Sequence, residues 1–344
     1  MKPAAAFIIG FLIFCTKGLC QTECETLQQQ ADSLHSVNQL QQAINIYTKI
    51  IQLNCSGMLM ALNNRGSMYD ELQKYDSAIV DLNNAYSIDS TASTTLLNLG
   101  VCYANQEEFP LAIVLLNKAA KYSDQPSWIF NILGGVKAAS GDTLGPIKDY
   151  QSAINADKHN IQAYKNLLKL YNVLDSSRAE EKTYDTLIAN NADHPEFIQE
   201  RAIFYFKHHE GGKAAADYTT ILKADPDNYG IYINRALCYE VADKPGEALK
   251  DYNVAIAINE DYMAYYNRAR LYYKFYSNNK QAIKDNLRCT ELNPEYANGW
   301  LSLGSYYMAE KQYTNAKKAL ETGLAKNPDQ DTKAKLEKLL KELK

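Results

Sequence analysis

The chain has 344 residues, 46% hydrophobic and 22% charged, an ordinary globular mixture that excludes disordered and fibrous classes. A formal charge of −4 lacks the basic footprint of a nucleic-acid binder, so no nucleic-acid partner is expected. Tyrosine is unusually common, at 26 residues against nine phenylalanines and two tryptophans.

The chain begins with Met1-Lys2 and a 12-residue apolar run from Ala4 to Cys15, then reaches Gly18-Leu19-Cys20 before polar Gln21-Thr22-Glu23. This pattern predicts a secretory signal peptide over residues 1–20, cut after Cys20, and hence an exported protein, periplasmic or secreted. Leu19 before Cys20 and Phe14 before Cys15 disfavour a lipid anchor, because lipoprotein signals place small residues there. No later segment approaches the roughly 18 apolar residues of a membrane span. Cleavage leaves 34 basic against 40 acidic residues, a charge of −6, and five cysteines: Cys24, Cys55, Cys102, Cys238 and Cys289.

From there the sequence repeats. Ala43, Ala78, Ala112, Ala214, Ala248, Ala282 and Ala316 recur at 34 or 35 residues or three times 34, with Pro146 and Glu180 in the two missing slots. Ala31, Gly66, Gly100, Gly134, Ala202, Ala236, Ala269 and Gly304 form a second column, and Tyr47, Leu82, Leu116, Tyr150, Tyr184, Tyr218, Tyr252 and Leu320 a third. Three registers held over nine periods identify a repeat architecture. Within residues 93–126, Leu96, Leu99, Gly100 and Tyr103 form one helical stripe, and Ala112, Ile113, Leu116 and Ala119 another. Each unit therefore reads as two helices, with small residues where their axes approach. Asp225-Pro226, Asn293-Pro294 and Asn327-Pro328 close several units, because proline stops a helix and biases its predecessor away from one.

The period and residue types resemble the tetratricopeptide repeat family; Trp300, Leu303, Gly304, Tyr307, Tyr313, Ala316, Leu320 and Pro328 occupy the family's positions. The resemblance implies an all-α, right-handed superhelical solenoid. Nine units are expected over residues 24–330: 24–57, 59–92, 93–126, 127–160, 161–194, 195–228, 229–262, 263–296 and 297–330. Residues 331–344, with Leu336, Leu339, Leu340 and Leu343 on one side, read as a capping helix over the last stacking face. Antiparallel helices would bring Cys24 and Cys55 together, so they are a disulfide candidate, the alternative being two surface thiols. Cys102 and Cys238 lie at equivalent positions 136 residues apart and read as buried core residues.

Units four and five depart from the pattern. Pro146 places a second helix start near Gly145, and unit five carries Leu168 in the small-residue slot and Glu180 in the alanine slot. These changes read as drift in one continuous array, with a hinge as the alternative.

Two sets of residues are candidates for binding. Asn64, Asn98, Asn166, Asn234 and Asn267 recur on the first helices, interrupted by Ile132, Glu200 and Ser302. First helices line the inner surface in this family, so the amides would form a ladder able to pair with an extended peptide backbone. A similar ladder occurs in the repeats of O-linked N-acetylglucosamine transferases; the plainer reading is that asparagine is simply common there. Nine tyrosines fall outside ordinary packing positions, seven of them between residues 229 and 306, and Tyr266 and Tyr273 beside Asn267 are the best groove-wall candidates.

Catalytic signals are weak. The five histidines lack metal-protease spacing, His208-His209 reads as a solvated turn, and Ser277 and Lys280 lack the companion motifs of serine–lysine enzymes. No cofactor or metal site is expected. Asp-Ser and Asp-Thr triplets such as Asp89-Ser90-Thr91 and Asp142-Thr143-Leu144 resemble an O-glycosylation pattern of exported Bacteroidetes proteins, but Asp before Ser or Thr is common at helix starts and turns, which is the favoured reading. The expectation is a non-enzymatic exported scaffold binding a protein or extended peptide in its concave groove. The alternatives are a structural subunit of an envelope assembly, using convex or end surfaces, and an accessory enzyme.

Overall fold

The computed structural model describes residues 22–55 and 57–343, which are all-α with no strand among them. The expected signal peptide, with Cys15 and Cys20, lies outside the described residues. The chain forms two compact units that divide between Asn190 and Asn191, where the sequence shows no linker.

The N-terminal unit holds α1 (22–36), α2 (Leu40–Gln52), α3 (Met58–Glu71), α4 (Tyr75–Ile88), α5 (Ser93–Asn105), α6 (Phe109–Tyr122), α7 (Ser127–Ala139), α8 (Gly145–Ala156), α9 (Ile161–Val173) and α10 (Ser177–Asn190). The C-terminal unit holds α11 (Glu196–Lys207), α12 (Gly211–Ala224), α13 (Tyr229–Val241), α14 (Pro245–Ile258), α15 (Tyr262–Tyr276), α16 (Asn279–Leu292), α17 (Ala297–Ala309), α18 (Tyr313–Leu324) and α19 (Gln330–Glu342). Each is a solenoid of helix pairs in which a helix packs on its sequence neighbours. The second helix of the fourth repeat begins at Gly145 with Pro146 in its first turn, where the missing N–H costs nothing.

The small-residue columns set how closely each pair packs. A Cβ added to Gly66 or Gly100 would lie 2.7 Å from the Cγ of Leu82 or Leu116 on the partner helix. Ala43, Ala78, Ala112, Ala214, Ala248, Ala282 and Ala316 are all fully buried, as are Tyr47, Leu82, Leu116 and Tyr252 from the bulky column. In the fifth repeat Leu168 and Glu180 replace the small residues, and α9 and α10 share the thinnest contact of any pair from α3/α4 to α17/α18.

A recurrent turn joins the two helices of a repeat. Asn38, Gln73, Glu107, Asp175, His209, Asp243, Ser277 and Lys311 all take left-handed φ values between 51° and 64°, and in the fourth repeat Gly141 does so at 86°. The next amide then returns to the end of the first helix, as Lys74 N to Tyr69 O, Lys244 N to Tyr239 O and Gln312 N to Tyr307 O, each at 2.8 Å. This satisfies carbonyls that the helix end would otherwise leave open. In the eighth repeat the return comes one residue later, from Asn278 to Tyr272.

At the N-terminal end, Cys24 of α1 and Cys55 after α2 form a disulfide, with Cα atoms 5.9 Å apart. Cys102, Cys238 and Cys289 are free and buried, and burial pushes each thiol up to about 12. At the other end α19 packs on α18 and buries Leu336, while Lys333, Lys335, Glu337 and Lys338 are exposed. No helix among the described residues is long and apolar enough to cross a membrane.

Candidate functional site

The predicted asparagines are divided between the units, three in the first and two in the second. They do not behave alike. Asn64 of α3 donates from Nδ2 to Tyr47 Oη at 2.9 Å, and that hydroxyl donates to Asp32 Oδ1 at 2.6 Å. Burial, then the bond to Asp32, push Tyr47 up to about 12. Asn166 of α9 is used on both sides: its Nδ2 donates to Asn131 Oδ1 at 3.0 Å, and its Oδ1 accepts from Gln162 Nε2 at 3.0 Å. Asn98 of α5 is half-buried, and among the described residues no hydrogen bond occupies its side chain.

In the C-terminal unit, Asn234 of α13 is half-buried and its amide has no hydrogen-bond partner among the described residues. Asn267 of α15 is only 3% exposed, and its Nδ2 has no acceptor among the described residues. The column therefore holds two amides with no partner among the described residues, Asn98 and Asn234, two engaged internally, Asn64 and Asn166, and one enclosed, Asn267.

The tyrosines of α15 and α17 come together. Tyr266 and Tyr262 meet Tyr296 edge-on with ring centroids at 5.2 and 5.3 Å, and Tyr273 lies 4.8 Å from Tyr306. Tyr306 is buried and Tyr273 is 41% exposed, so the pair has an inner and an outer ring. Burial holds Tyr296 and Tyr306 well above the usual phenol range. Arg270, one turn from Tyr266 and Tyr273, pairs at 3.3 Å with Glu240 of α13, whose side chain is buried. Glu240 also accepts from Tyr252 Oη at 2.6 Å, and burial, then Glu240, drives that phenol well above its ordinary value. The result is an aromatic surface with one guanidinium held in place from beneath.

Sequence reasoning missed a second polar column. Arg65, Arg201, Arg235 and Arg268 each make a two-pronged bond to an aspartate on the second helix of the same repeat: Asp81, Asp217, Asp251 and Asp285, at 2.6–2.9 Å. Arg65, Arg235 and Arg268 also reach the second helix of the preceding repeat, at Thr48 (2.9 Å), Thr219 (3.0 Å) and Asn253 (2.7 Å) respectively. In the fourth repeat Lys137 takes the role and pairs with Asp149 at 2.7 Å. Each aspartate lies three residues after the helix-opening slot, and each arginine directly precedes the small residue, so the 34-residue period carried the signal.

His208 and His209 are exposed at the turn between α11 and α12, and Ser277 is the left-handed residue ending α15. Among the described residues no group of three or more histidine, cysteine, aspartate or glutamate side chains is placed to hold a metal ion.

Two tetratricopeptide repeat models match the sequence, one over residues 200–262 and the other over 61–91 and 297–330. No curated protein sequence matches the chain. Among solved structures, it is similar to a tetratricopeptide repeat protein from Parabacteroides merdae, at 19% identity over 73% of this chain and 98% of that one, with a TM-score of 0.41. A similar protein is the C-terminal part of a repeat-containing protein from Cytophaga hutchinsonii, at 18% identity over 80% and 99%, TM-score 0.49. Yeast Tom70 is similar at 11% identity over 94% and 96%, TM-score 0.44.

Proposed function

Since the chain belongs to the tetratricopeptide repeat family, we propose that it is an exported, non-enzymatic scaffold that holds an extended segment of a partner protein on its first helices. The C-terminal unit is the primary site. The observation that carries this reading is the surface of α13, α15 and α17, where the uncommitted Asn234 amide accompanies the Tyr266, Tyr273 and Tyr306 rings and an anchored Arg270. A half-exposed amide can exchange a donor and an acceptor with a peptide backbone, and rings already packed on one another offer contact area at small entropic cost. Asn98 is a secondary contact in the N-terminal unit. The Cys24–Cys55 disulfide supports export, because such bonds persist in oxidising compartments.

Photo-crosslinking in native cells tests the site. A crosslinking amino acid at Tyr273 should attach to partner peptides, whereas one at Lys250 on a second helix should not. Peptides recovered this way should bind the Asn234→Ala, Tyr273→Ala double variant about 30-fold more weakly, the cost of a lost anchor. Equal attachment at both positions, or unchanged affinity, would overturn the reading.

A second reading, an assembly subunit using its second helices, rests on Val80 and Val114. These side chains occupy the same position of α4 and α6 and are 60% and 63% exposed. Changing both to serine would disperse such an assembly and leave peptide capture intact.

A further inference from the structure

The fifth repeat breaks the steric rule that the others obey. A Cβ on Gly66, Gly100, Gly134 or Gly304 would lie 2.5–2.7 Å from a side chain of the partner helix. A leucine in that column cannot fit against a partner at the same distance, so Leu168 parts α9 from α10, and Glu180 in the alanine column adds bulk on the facing helix. Where these helices part, a half-open cavity of about 440 Å³ lies among α8, α9 and α10, wholly inside the N-terminal unit. That volume falls in the range of small-molecule sites.

The lining has a definite chemistry. Ile154, Leu167, Ala179 and the rings of Tyr164 and Tyr171 make most of it apolar. Lys182 is its one charged side chain, and no carboxylate lines it. Among the described residues the Lys182 ammonium has no ion-pair partner, and the side chain is exposed at the rim. An apolar chamber with a single unpaired cation at its edge matches a ligand with an apolar body and one negative head. It rejects a cationic head, which would face Lys182 with no acid to neutralise it.

We propose that this cavity binds a small amphiphile carrying a single carboxylate, such as a medium-chain fatty acid, with its head on Lys182 and its chain between Tyr164, Leu167 and Ile154. The fifth repeat's departures are then functional rather than drift. The site is separate from the primary peptide-binding surface, which lies in the other unit, and shares no residue with the secondary contact at Asn98.

Calorimetric titration of the full chain with decanoate, decan-1-ol and decylamine tests this. Decanoate should bind saturably at one site per chain, decanol about fivefold more weakly, the worth of an exposed charge pair, and decylamine more weakly still. Lys182→Gln should lower decanoate to the level of decanol. Thr186→Phe, an exposed substitution that fills the rim, should weaken all three without altering the melting profile. The proposal is overturned if decanoate shows no saturable binding up to about 1 mM, if the three probes bind equally, or if Lys182→Gln leaves decanoate binding unchanged.

Discussion

Replacing Asp251 by alanine should destabilise the C-terminal unit sharply. The Arg235 guanidinium makes two bonds of 2.7 Å to this carboxylate and one of 3.0 Å to Thr219. The two charged side chains are 16% and 6% exposed, so both gave up most of their water on folding. Losing the aspartate leaves the cation with Thr219 and with the rings of Tyr232 and Tyr239, 5.3 and 5.8 Å away. Stranding one member of a buried pair costs about 3–5 kcal/mol, and the partial exposure of Arg235 places this case near about 3 kcal/mol. Replacing both partners, as Arg235→Met with Asp251→Leu, should recover most of the loss, because neither charge then needs desolvation. Urea denaturation followed by far-UV circular dichroism measures the loss, and hydrogen exchange in α13 and α14 locates it. Glu247→Gln, which breaks the exposed pair with Lys250, should change nothing measurable. A loss below about 1 kcal/mol in Asp251→Ala, or a double variant as unstable as the single one, would refute the reasoning.

Other outcomes follow from the same packing. Gly100→Ala should cost about 1–3 kcal/mol, because the new Cβ meets Leu116 at 2.7 Å, whereas Gly246→Ala, with nothing within 4 Å, should stabilise α14 slightly; thermal melts separate the two signs. Reducing the Cys24–Cys55 bond, which spans 31 residues, should cost about 4 kcal/mol and raise amide exchange in α1 and α2 while leaving the C-terminal unit unchanged. Tyr47 and Tyr218 are pushed up to about 12, chiefly by burial, so the folded chain keeps protons that the unfolded chain has released above pH about 10. Stability should therefore fall between pH about 10 and about 12, with phenolate absorbance rising late, and Tyr218→Phe should flatten the fall. An unchanged slope in that variant would count against the assignment.

What could be read from the chain alone was whatever sterics imposes at fixed spacing. Ala78 and Leu82 recur because close helix axes tolerate nothing larger at one slot and leave a hole at another. Arg235 and Asp251 follow the same period, yet each alone resembles a solvated surface charge; only folding reveals that the residues, 16 apart, meet away from water. The left-handed turn residues were hidden for another reason. Gln73, Glu107 and Lys311 adopt a conformation usually signalled by glycine, and Gly141 alone gave that sign. The asparagine columns were visible as positions, but whether an amide is available depends on its neighbours. Tyr47 occupies Asn64, Asn131 occupies Asn166, and nothing among the described residues occupies Asn234.

The three buried thiols bear on the order in which this protein must mature. A sulfur pushed up to about 12 holds almost no thiolate at neutral pH, so in the folded chain Cys102, Cys238 and Cys289 cannot attack the Cys24–Cys55 bond. The unfolded chain has no such protection, because every sulfur is then equally available. The native partners, however, are the first two cysteines of the described chain and belong to one helix pair. They can close their ring while Cys102 is still emerging. Chain order thus does early in biogenesis what burial does later: it keeps a five-cysteine segment from choosing the wrong partner.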